Sequence, residues 1–334
     1  ETGKPKKEKA KDYSKVFGDK LVELAKKNEK IVAITASMKD GTGLTKFQKQ
    51  FPKRFFDIGI AEQHAVTLAA GMATQGLIPV VPIYSSFYQR AYDQVIHDIA
   101  IQNLHVILCV DRAGIVGADG ETHQGLLDMA FFRLVPNLVI MAPKDFKELE
   151  EMLEFAVNIE KPVVIRYPRG GEDKKIKFET HNKIELGKSE ILKEFDNDKT
   201  EVLENQNLEN KENSENKEKA KNVSVIAIGK MVSRAMKIAE KEELEKTGKT
   251  VEIINARFLK PFDRTNILEI LKKSDKVITI EDGTIINGLG TTIKEIIAEE
   301  NLENIEIENQ AYPDEFIQHG SVDQLEDMYL GKIE

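Results

Sequence analysis

The amino-acid sequence predicts an α/β protein of two doubly wound domains with mainly parallel sheets. Short β-rich runs without polar alternation are each followed by a longer helical pattern, which is typical of parallel sheets covered by helices on both faces. This βα order stops at one strongly polar stretch and then resumes. A length of 334 residues also suits two domains of roughly 100–200 residues each.

The first half of the chain alternates candidate strands with candidate helices. The strands are expected at residues 31–36, 55–58, 79–84, 106–110, 138–141 and 163–167. The helices are expected at residues 14–27, 62–75, 87–102 and 145–157. The last helix opens with Asp145 and has Glu148 three residues later, which is the spacing of a capping box.

A polar stretch at residues 193–222 separates the two βα regions. Lys, Glu, Asp and Asn make up 22 of its 30 residues, so it has too few apolar side chains to offset the entropy of ordering. We interpret it as a mobile insertion rather than a functional tail. The expected boundaries are a tag remnant with a basic lead at 1–12, a first domain at 13–175, and a second domain at 185–334 that contains the insertion.

The βα order resumes after the polar stretch. Strands are expected at residues 223–228, 251–255, 276–281 and 305–307, and helices at 233–245, 265–272, 289–299 and 321–329. Gly283, Gly288 and Gly290 lie near a helix start, but the Lys-Ser/Thr pair of a phosphate-binding P-loop is missing. We interpret these glycines as sites of close backbone packing.

Composition and charge narrow the class of protein. The 48 Lys and Arg residues against 57 Asp and Glu residues give a net charge of −9, which argues against nucleic acid or an anionic membrane as the main partner. No apolar stretch approaches the roughly 20 residues that span a bilayer, and no apolar signal region follows the basic residues 4–11. The one cysteine, Cys109, cannot form an internal disulfide. We expect a cytoplasmic protein.

Candidate functional residues cluster directly after predicted strands, at the edge where open parallel sheets bind ligands. The first cluster, residues 57–64, leads into an apolar helix and places Glu62 in its first turn. A carboxylate there also stabilises a helix N-terminus without any further role. The second cluster contains Tyr84, Phe87 and Arg90, although Phe87 also suits a core position and Arg90 a solvated helix face.

The third cluster is a polar loop at residues 111–125 that contains four glycines. Polar loops of this length commonly belong to a site. Asp119, Glu121 and His123 stand at alternate positions, but because there is no second ligand cluster we predict no metal site in this chain. Further on, Arg169 suits either a phosphate clamp or a surface position.

Four motifs together resemble one enzyme family. They are Ile-Gly-Ile-Ala-Glu-Gln-His (58–64), Tyr-Ser-Ser-Phe-Tyr-Gln-Arg-Ala-Tyr-Asp-Gln (84–94), Asp-Arg-Ala-Gly-Ile-Val-Gly-Ala-Asp-Gly-Glu-Thr-His-Gln-Gly (111–125) and Arg-Tyr-Pro-Arg-Gly (166–170). From about Tyr13 onward the chain resembles the 1-deoxy-D-xylulose-5-phosphate synthases, which are transketolase-like enzymes. The 111–125 loop is the specific part, because transketolases and the beta subunits of 2-oxo-acid dehydrogenases share Ala-Glu-Gln but carry different loops.

The resemblance implies a transferase that uses thiamine diphosphate to join pyruvate to glyceraldehyde 3-phosphate with loss of carbon dioxide, in isoprenoid precursor and thiamine biosynthesis. It implies that Glu62 holds N1′ of the cofactor's aminopyrimidine and that Phe87 stacks on that ring. The catalytic residues would be Glu62 and His123. The implied substrate-binding residues are Tyr84, Arg90, Arg112, Asp119, His123 and Arg169.

One departure from the family concerns the cofactor's diphosphate. The family holds it through Mg²⁺ in a further N-terminal domain with a Gly-Asp-Gly…Asn motif, and nothing in this sequence matches that motif. The sequence therefore predicts the pyrimidine-binding and C-terminal domains only, with the diphosphate-binding domain supplied in cis or in trans. We expect this chain alone to be inactive and to bind thiamine diphosphate weakly. The resemblance also implies a homodimer.

Two other functions fit the pattern less well. The chain length suits the beta-type subunit of a 2-oxo-acid dehydrogenase or of a split transketolase, but the 111–125 loop does not. A non-catalytic regulatory or assembly module would keep the fold without turnover. The intact set of Glu62, Asp119 and His123 argues against that module.

Overall fold

The computed structural model describes residues 11–178, 182–195, 222–245 and 250–332. Its strands are β1 (Ile31–Thr35), β2 (Phe55–Asp57), β3 (Ile78–Tyr84), β4 (Ile107–Asp111), β5 (Val139–Met141), β6 (Val163–Arg166), β7 (Glu190–Lys193), β8 (Asn222–Ala227), β9 (Thr250–Asn255), β10 (Phe258–Lys260), β11 (Lys276–Thr284) and β12 (Glu306–Tyr312). Its α-helices are α1 (Tyr13–Lys27), α2 (Thr45–Gln50), α3 (Glu62–Thr74), α4 (Ser85–Tyr88), α5 (Tyr92–Gln94), α6 (Asp128–Arg133), α7 (Phe146–Asn158), α8 (Met231–Glu245), α9 (Arg264–Leu271), α10 (Leu289–Glu299) and α11 (Val322–Leu330).

Two mainly parallel sheets form the frame of the described chain. The first has the strand order β10-β5-β6-β4-β3-β1-β2; β10 pairs antiparallel with β5, and its other pairs are parallel. The second has the order β12-β11-β8-β9-β7; β7 pairs antiparallel with β9, and its other pairs are parallel. The predicted α/β class with two doubly wound sheets is therefore confirmed.

Buried apolar side chains cover both faces of the first sheet. Ile34 and Val81 belong to one core cluster, whereas their neighbours Ala33 and Val80 belong to another on the opposite face. Because both faces are buried, these strands show no polar alternation in sequence. The first cluster continues into the second sheet through Ile226, so the two sheets share part of one core.

The sequence did not predict the two antiparallel edge strands, β7 and β10, or the short helices α2 and α6. β10 follows the polar stretch in sequence, yet Phe258 pairs with Met141 of β5 and extends the first sheet. Runs of three to six residues carry too little periodicity to be recognised. Every predicted strand and helix overlaps an element of the structure.

The predicted helix at 87–102 is a series of short segments instead. The series consists of α4, a 3₁₀ turn at Gln89–Ala91, α5 and a π-helical turn at Val95–Ala100. The buried residues Tyr88, Ala91, Val95 and Ile99 keep a helical spacing across these segments. The sequence pattern therefore does not reveal the changes in backbone hydrogen bonding, which are common near functional sites.

Asp145 caps α7, as its spacing to Glu148 predicts. The Asp145 side chain accepts a hydrogen bond from the Glu148 N–H group at 2.7 Å. The Glu148 carboxylate in turn accepts one from the Lys144 N–H group at 2.6 Å. The Glu148 carboxylate also belongs to a buried group of charges, so Glu148 contributes more than the backbone N–H group that receives the cap.

Four buried charges join the two halves of the chain. Lys144 Nζ lies 2.7 Å from Glu190 Oε2 and 3.2 Å from Glu148 Oε1. Arg257 completes the group, with Nε 2.7 Å from Glu148 and Nη2 2.9 Å from Glu190. All four side chains are at most 1% exposed. Two cations therefore balance two carboxylates at a place where water cannot screen them.

Two expectations concern segments at the limits of the described chain. The predicted insertion at 193–222 lies mostly outside the described residues, as does most of the predicted lead at 1–12. In the part that the structure covers, no helix is long and apolar enough to cross a membrane.

Glu148→Gln should destabilise the protein by roughly 3–5 kcal/mol, because it leaves an uncompensated buried charge beside Lys144 and Arg257. Urea unfolding followed by circular dichroism measures this free energy. Glu154→Gln, on an exposed part of the same helix where Glu154 pairs with Lys20 at 2.9 Å, is the matched control and should change stability little. Equal unfolding midpoints for the two variants would show that the buried group does not hold the halves together.

Candidate active site

A cavity of about 620 Å³ opens at the carboxyl edge of the first sheet. Its walls come from the segment after β1, from the end of β2, and from the starts of α3 and α4. The lining residues are Ala36, Ser37, Met38, Lys39, Asp40, Gly41, Asp57, Ile60, Glu62, Tyr84, Phe87 and Arg90. Four residues singled out from the sequence (Glu62, Tyr84, Phe87 and Arg90) therefore share one cavity.

Glu62 is the buried carboxylate of this cavity. It lies in the first turn of α3 and is 2% exposed. Nη1 of Arg90 lies 3.3 Å from its Oε1 atom, and the Arg90 side chain itself is 53% exposed. A carboxylate in the first turn also stabilises the N-terminus of its own helix. Glu62 is withdrawn from water at a cavity wall, where it can in addition form a hydrogen bond with a bound group.

Phe87 connects the cavity to the loop at 111–125. Its ring centroid lies 5.7 Å from that of Tyr84 and 5.3 Å from that of His123, the latter in an edge-on arrangement. The Arg90 guanidinium carbon lies 5.2 Å from the Phe87 centroid. These contacts fix the orientation of the Phe87 ring beside Glu62. His123 also approaches Thr122, with 2.9 Å between Nδ1 and the hydroxyl oxygen.

Gly41 is a site residue that sequence reasoning missed. A Cβ atom at this position would lie 1.8 Å from the Tyr84 hydroxyl oxygen, so any other residue would displace Tyr84. The Arg112 guanidinium packs on the Tyr84 ring, 3.8 Å from its centroid. The only signal in the sequence is the pair Gly41 and Gly43, six and eight residues after the end of β1, which is weak evidence alone.

Asp119 brings two predicted substrate residues together. Its Oδ2 atom lies 3.0 Å from Nη1 of Arg112 and 2.7 Å from Nη1 of Arg169. Arg112 follows β4 and Arg169 follows β6, and these are adjacent strands. Through Tyr84 and Phe87, this pair of arginines is continuous with the cavity that contains Glu62. All the predicted site residues therefore lie along one edge of the first sheet.

The second half of the chain holds the 111–125 loop in place. At its base, Gly114 and Gly125 exchange two backbone hydrogen bonds of 2.7 Å. The Gln124 side-chain oxygen accepts from the Val116 N–H group at 2.9 Å, and its amide nitrogen donates to the Gln318 carbonyl at 3.2 Å. The loop is thus a bridge between the two sheets rather than a free surface segment.

Acidic residues at the end of β11 complete this bridge. Asp282 accepts a hydrogen bond from the Ile115 N–H group at 3.2 Å and pairs with Lys230 at 3.0 Å. Glu281 accepts from the first N–H groups of α10, and burial raises its pKa to about 6. A Cβ atom at Gly288 would lie 1.9 Å from a Glu281 oxygen, which confirms the predicted close packing at this helix start.

Asp111 is a second residue that the sequence did not single out. It ends β4, is fully buried, and accepts a hydrogen bond from the Ser14 hydroxyl at 2.8 Å. Its Oδ1 atom has no hydrogen-bond partner among the described residues. Burial raises the pKa of this carboxyl from an ordinary 3.8 to about 7. The loop that carries Arg112 and Asp119 therefore begins at an acid that is largely protonated below neutral pH.

Asp119, Glu121 and His123 are the candidate metal-ligating side chains of the 111–125 loop. Asp119 is engaged by two arginines, and Glu121 accepts a hydrogen bond from Gln318 instead. Across the described ranges, no group of three His, Cys, Asp or Glu side chains is placed to hold a metal ion.

Two family models match the chain. The model for the transketolase pyrimidine-binding domain matches residues 9–171, and the model for the transketolase C-terminal domain matches residues 213–333. The chain therefore belongs to the transketolase family, of which it carries these two domains. This confirms the resemblance that the motifs indicate.

Relatives and solved structures refine this assignment. The 1-deoxy-D-xylulose-5-phosphate synthase of Natranaerobius thermophilus is 48% identical over 96% of this chain and 47% of its own length. A structure described as a split gene transketolase, inactive beta4 tetramer, is 29% identical with a TM-score of 0.76, over 95% of this chain and 93% of its own. Transketolase from Campylobacter jejuni, 16% identical with a TM-score of 0.72 over 96% of this chain and 45% of its own, shares the fold. The chain spans about half the length of the curated relatives it matches.

Asp111→Asn should flatten the dependence of stability on pH. Because the pKa of Asp111 is higher in the folded protein, at about 7 against 3.8, the folded state binds the proton more tightly. The stabilisation of the folded state by the proton on Asp111 is therefore lost as the pH rises from about 4 to about 7. Urea unfolding at several pH values should show Asp111→Asn stabilised relative to wild type at pH 8 but not at pH 4. Asp93→Asn, at an exposed position, is the control, and parallel pH profiles for all three proteins would contradict the assignment.

Proposed function

We propose that this chain is the pyrimidine-binding and C-terminal part of a thiamine-diphosphate-dependent transferase of the 1-deoxy-D-xylulose-5-phosphate synthase type. The reaction condenses pyruvate with glyceraldehyde 3-phosphate and releases carbon dioxide. We place the two domains at residues 13–175 and 185–334. The observation that carries the proposal is the buried Glu62 carboxylate in one cavity with the Phe87 ring. Identity of 48% to such a synthase over nearly the whole chain supports it.

The cavity suits the aminopyrimidine half of the cofactor. A ring that is flat and apolar on its faces and polar at its edge needs an aromatic or aliphatic wall and a carboxyl group in one plane with it. Phe87 supplies the wall and Glu62 the carboxyl group. When bound, thiamine diphosphate supplies a nucleophilic carbon and an electron sink for decarboxylation. Glu62 holds a proton at the ring nitrogen N1′, and Phe87 fixes the plane of the ring.

The remaining site residues bind and orient the substrates. Arg112 and Arg169 suit the phosphate of glyceraldehyde 3-phosphate, because two guanidinium groups can donate several charge-assisted hydrogen bonds to it. His123, packed on Phe87, hydrogen-bonds reacting oxygens and can hold or release a proton. Tyr84 and Arg90 line the cavity that contains Glu62, and the Tyr84 ring also contacts the Arg112 guanidinium.

The diphosphate of the cofactor needs a further domain. The chain covers 47% of the relative's length, and we propose that a diphosphate-binding domain with Mg²⁺ acts with it in cis or in trans. The likeness to a split gene transketolase over 93% of that chain favours a two-part arrangement. We propose a homodimer of the assembled enzyme, located in the cytoplasm.

Thiamine diphosphate should bind weakly to this chain alone, even with Mg²⁺, because the described residues offer the ring a cavity but place no group of His, Cys, Asp or Glu side chains to hold the metal ion. Isothermal titration calorimetry should give a Kd weaker than about 0.1 mM. Adding the diphosphate-binding domain of a related synthase should tighten it at least tenfold. Tight binding by the chain alone would contradict the proposal that a further domain binds the diphosphate.

Synthase activity should appear only when this chain is mixed with the diphosphate-binding domain of a related synthase, and it should depend on Glu62. We expect carbon dioxide release from pyruvate with glyceraldehyde 3-phosphate, and a loss of about 10²–10⁴-fold in Glu62→Gln, because the amide cannot hold the proton at N1′. Glu160→Gln, at an exposed site on the same domain, should match wild type. Equal rates for Glu62→Gln and wild type would contradict the role of Glu62. If the folded, cofactor-bound mixture releases no carbon dioxide, the non-catalytic module is favoured.

A further inference from the structure

Asp119 occupies the space between the two arginines that the proposed function assigns to the substrate phosphate. One oxygen atom, Oδ2, lies 3.0 Å from Arg112 Nη1 and 2.7 Å from Arg169 Nη1. The Asp119 side chain is 28% exposed and Arg112 is 20% exposed, so solvent screens these contacts only in part. An internal carboxylate thus sits where an external anion is expected.

Phosphate and carboxylate compete for the same guanidinium donors. Planar guanidinium groups bind both anions through pairs of N–H groups. Arg112 is stacked on the Tyr84 ring at 3.8 Å, and Arg169 also donates to the Val116 carbonyl at 3.4 Å. These second contacts limit how far either guanidinium can turn toward a new anion. An incoming phosphate therefore has to displace Asp119 from them.

The Asp119 side chain can leave the two arginines while the base of the loop stays fixed. Gly114 and Gly125 pin the base through two backbone hydrogen bonds of 2.7 Å. Gly117 is buried, and a Cβ atom there would lie 2.9 Å from the Gly320 carbonyl oxygen, so the backbone before Asp119 is held. Residues 118–123 are exposed or half-buried, which leaves the Asp119 side chain room to rotate away. Displacing the carboxylate therefore needs no rearrangement of the core.

We propose that Asp119 is an internal competitor of the substrate: its carboxylate occupies the phosphate site formed by Arg112 and Arg169 and has to be displaced before an external anion binds there. This inference rests on the proposed function, which assigns the binding of the substrate phosphate to Arg112 and Arg169. Displacement lowers the affinity of every anion by the same factor. A monoanion interacts less strongly with two cations than a dianion does, so the two arginines prefer the phosphate of a phosphorylated aldehyde to the carboxylate of pyruvate. Asp119 raises the concentration that either anion needs in order to bind.

Binding of inorganic phosphate to this chain at about pH 8, measured by phosphorus NMR, tests the inference. Asp119→Asn keeps the side-chain size and removes the charge, and we expect it to tighten phosphate binding about tenfold, or about 1.4 kcal/mol. Asp119→Ser is a second variant, and unchanged thermal midpoints show that both are folded. Glu121→Gln removes a charge from the same loop without touching the arginines and should change the affinity less than about twofold. Arg169→Ala should abolish the gain in the Asp119→Asn background.

Acetate distinguishes displacement from simple repulsion. Displacement predicts that Asp119→Asn tightens acetate and phosphate binding by the same factor, whereas repulsion by a fixed charge acts about twice as strongly, in free energy, on a dianion. Unchanged or weaker phosphate binding by Asp119→Asn, or the twofold pattern, overturns the inference and leaves the proposed function standing. If Arg112→Ala and Arg169→Ala leave phosphate binding of the chain unchanged, the phosphate site itself is wrong, and so is the role that the proposed function gives these two arginines.

Discussion

The site depends on a carboxylate kept out of water at the first turn of α3. Glu62 is 2% exposed, and the partner that the structure gives it, Arg90, is itself half-exposed. A buried carboxylate with one loosely held cation is an unfavourable arrangement unless another group shares its proton or its hydrogen bonds. The cavity bounded by Phe87 provides the room for that group.

The second sheet contributes to the site without lining the cavity. In doubly wound sheets the crevice at the carboxyl ends of the strands commonly receives a ligand. Here the end of β11 receives a loop of the first half instead, since Asp282 accepts the Ile115 N–H group. The shared core and the buried pairs of Lys144 and Arg257 with Glu148 and Glu190 hold the two sheets in one arrangement. The position of the 111–125 loop thus follows from contacts on both sides.

The features that the sequence predicts are those that local patterns determine. Strands such as β3 and β4 are buried on both faces and so lack polar alternation, and Glu62, Tyr84 and Phe87 were found because they follow predicted strands. Gly41 and Asp111 were missed because their importance depends on partners far away in the chain: the Tyr84 hydroxyl for one and Ser14 for the other. The same reason applies to β10, whose pairing with β5 leaves no periodic pattern of its own.

The most direct test of the central claim uses the pyrimidine half of the cofactor alone, because it needs no diphosphate-binding domain. Saturation-transfer NMR on this chain with 4-amino-5-hydroxymethyl-2-methylpyrimidine should show magnetisation transfer to the C6 proton and the 2-methyl protons of the ligand. The transfer should be lost in Glu62→Ala and kept in Glu160→Ala, whose side chain is exposed. Equal transfer in wild type and Glu62→Ala, with both proteins folded, would mean that this carboxylate does not receive the ring.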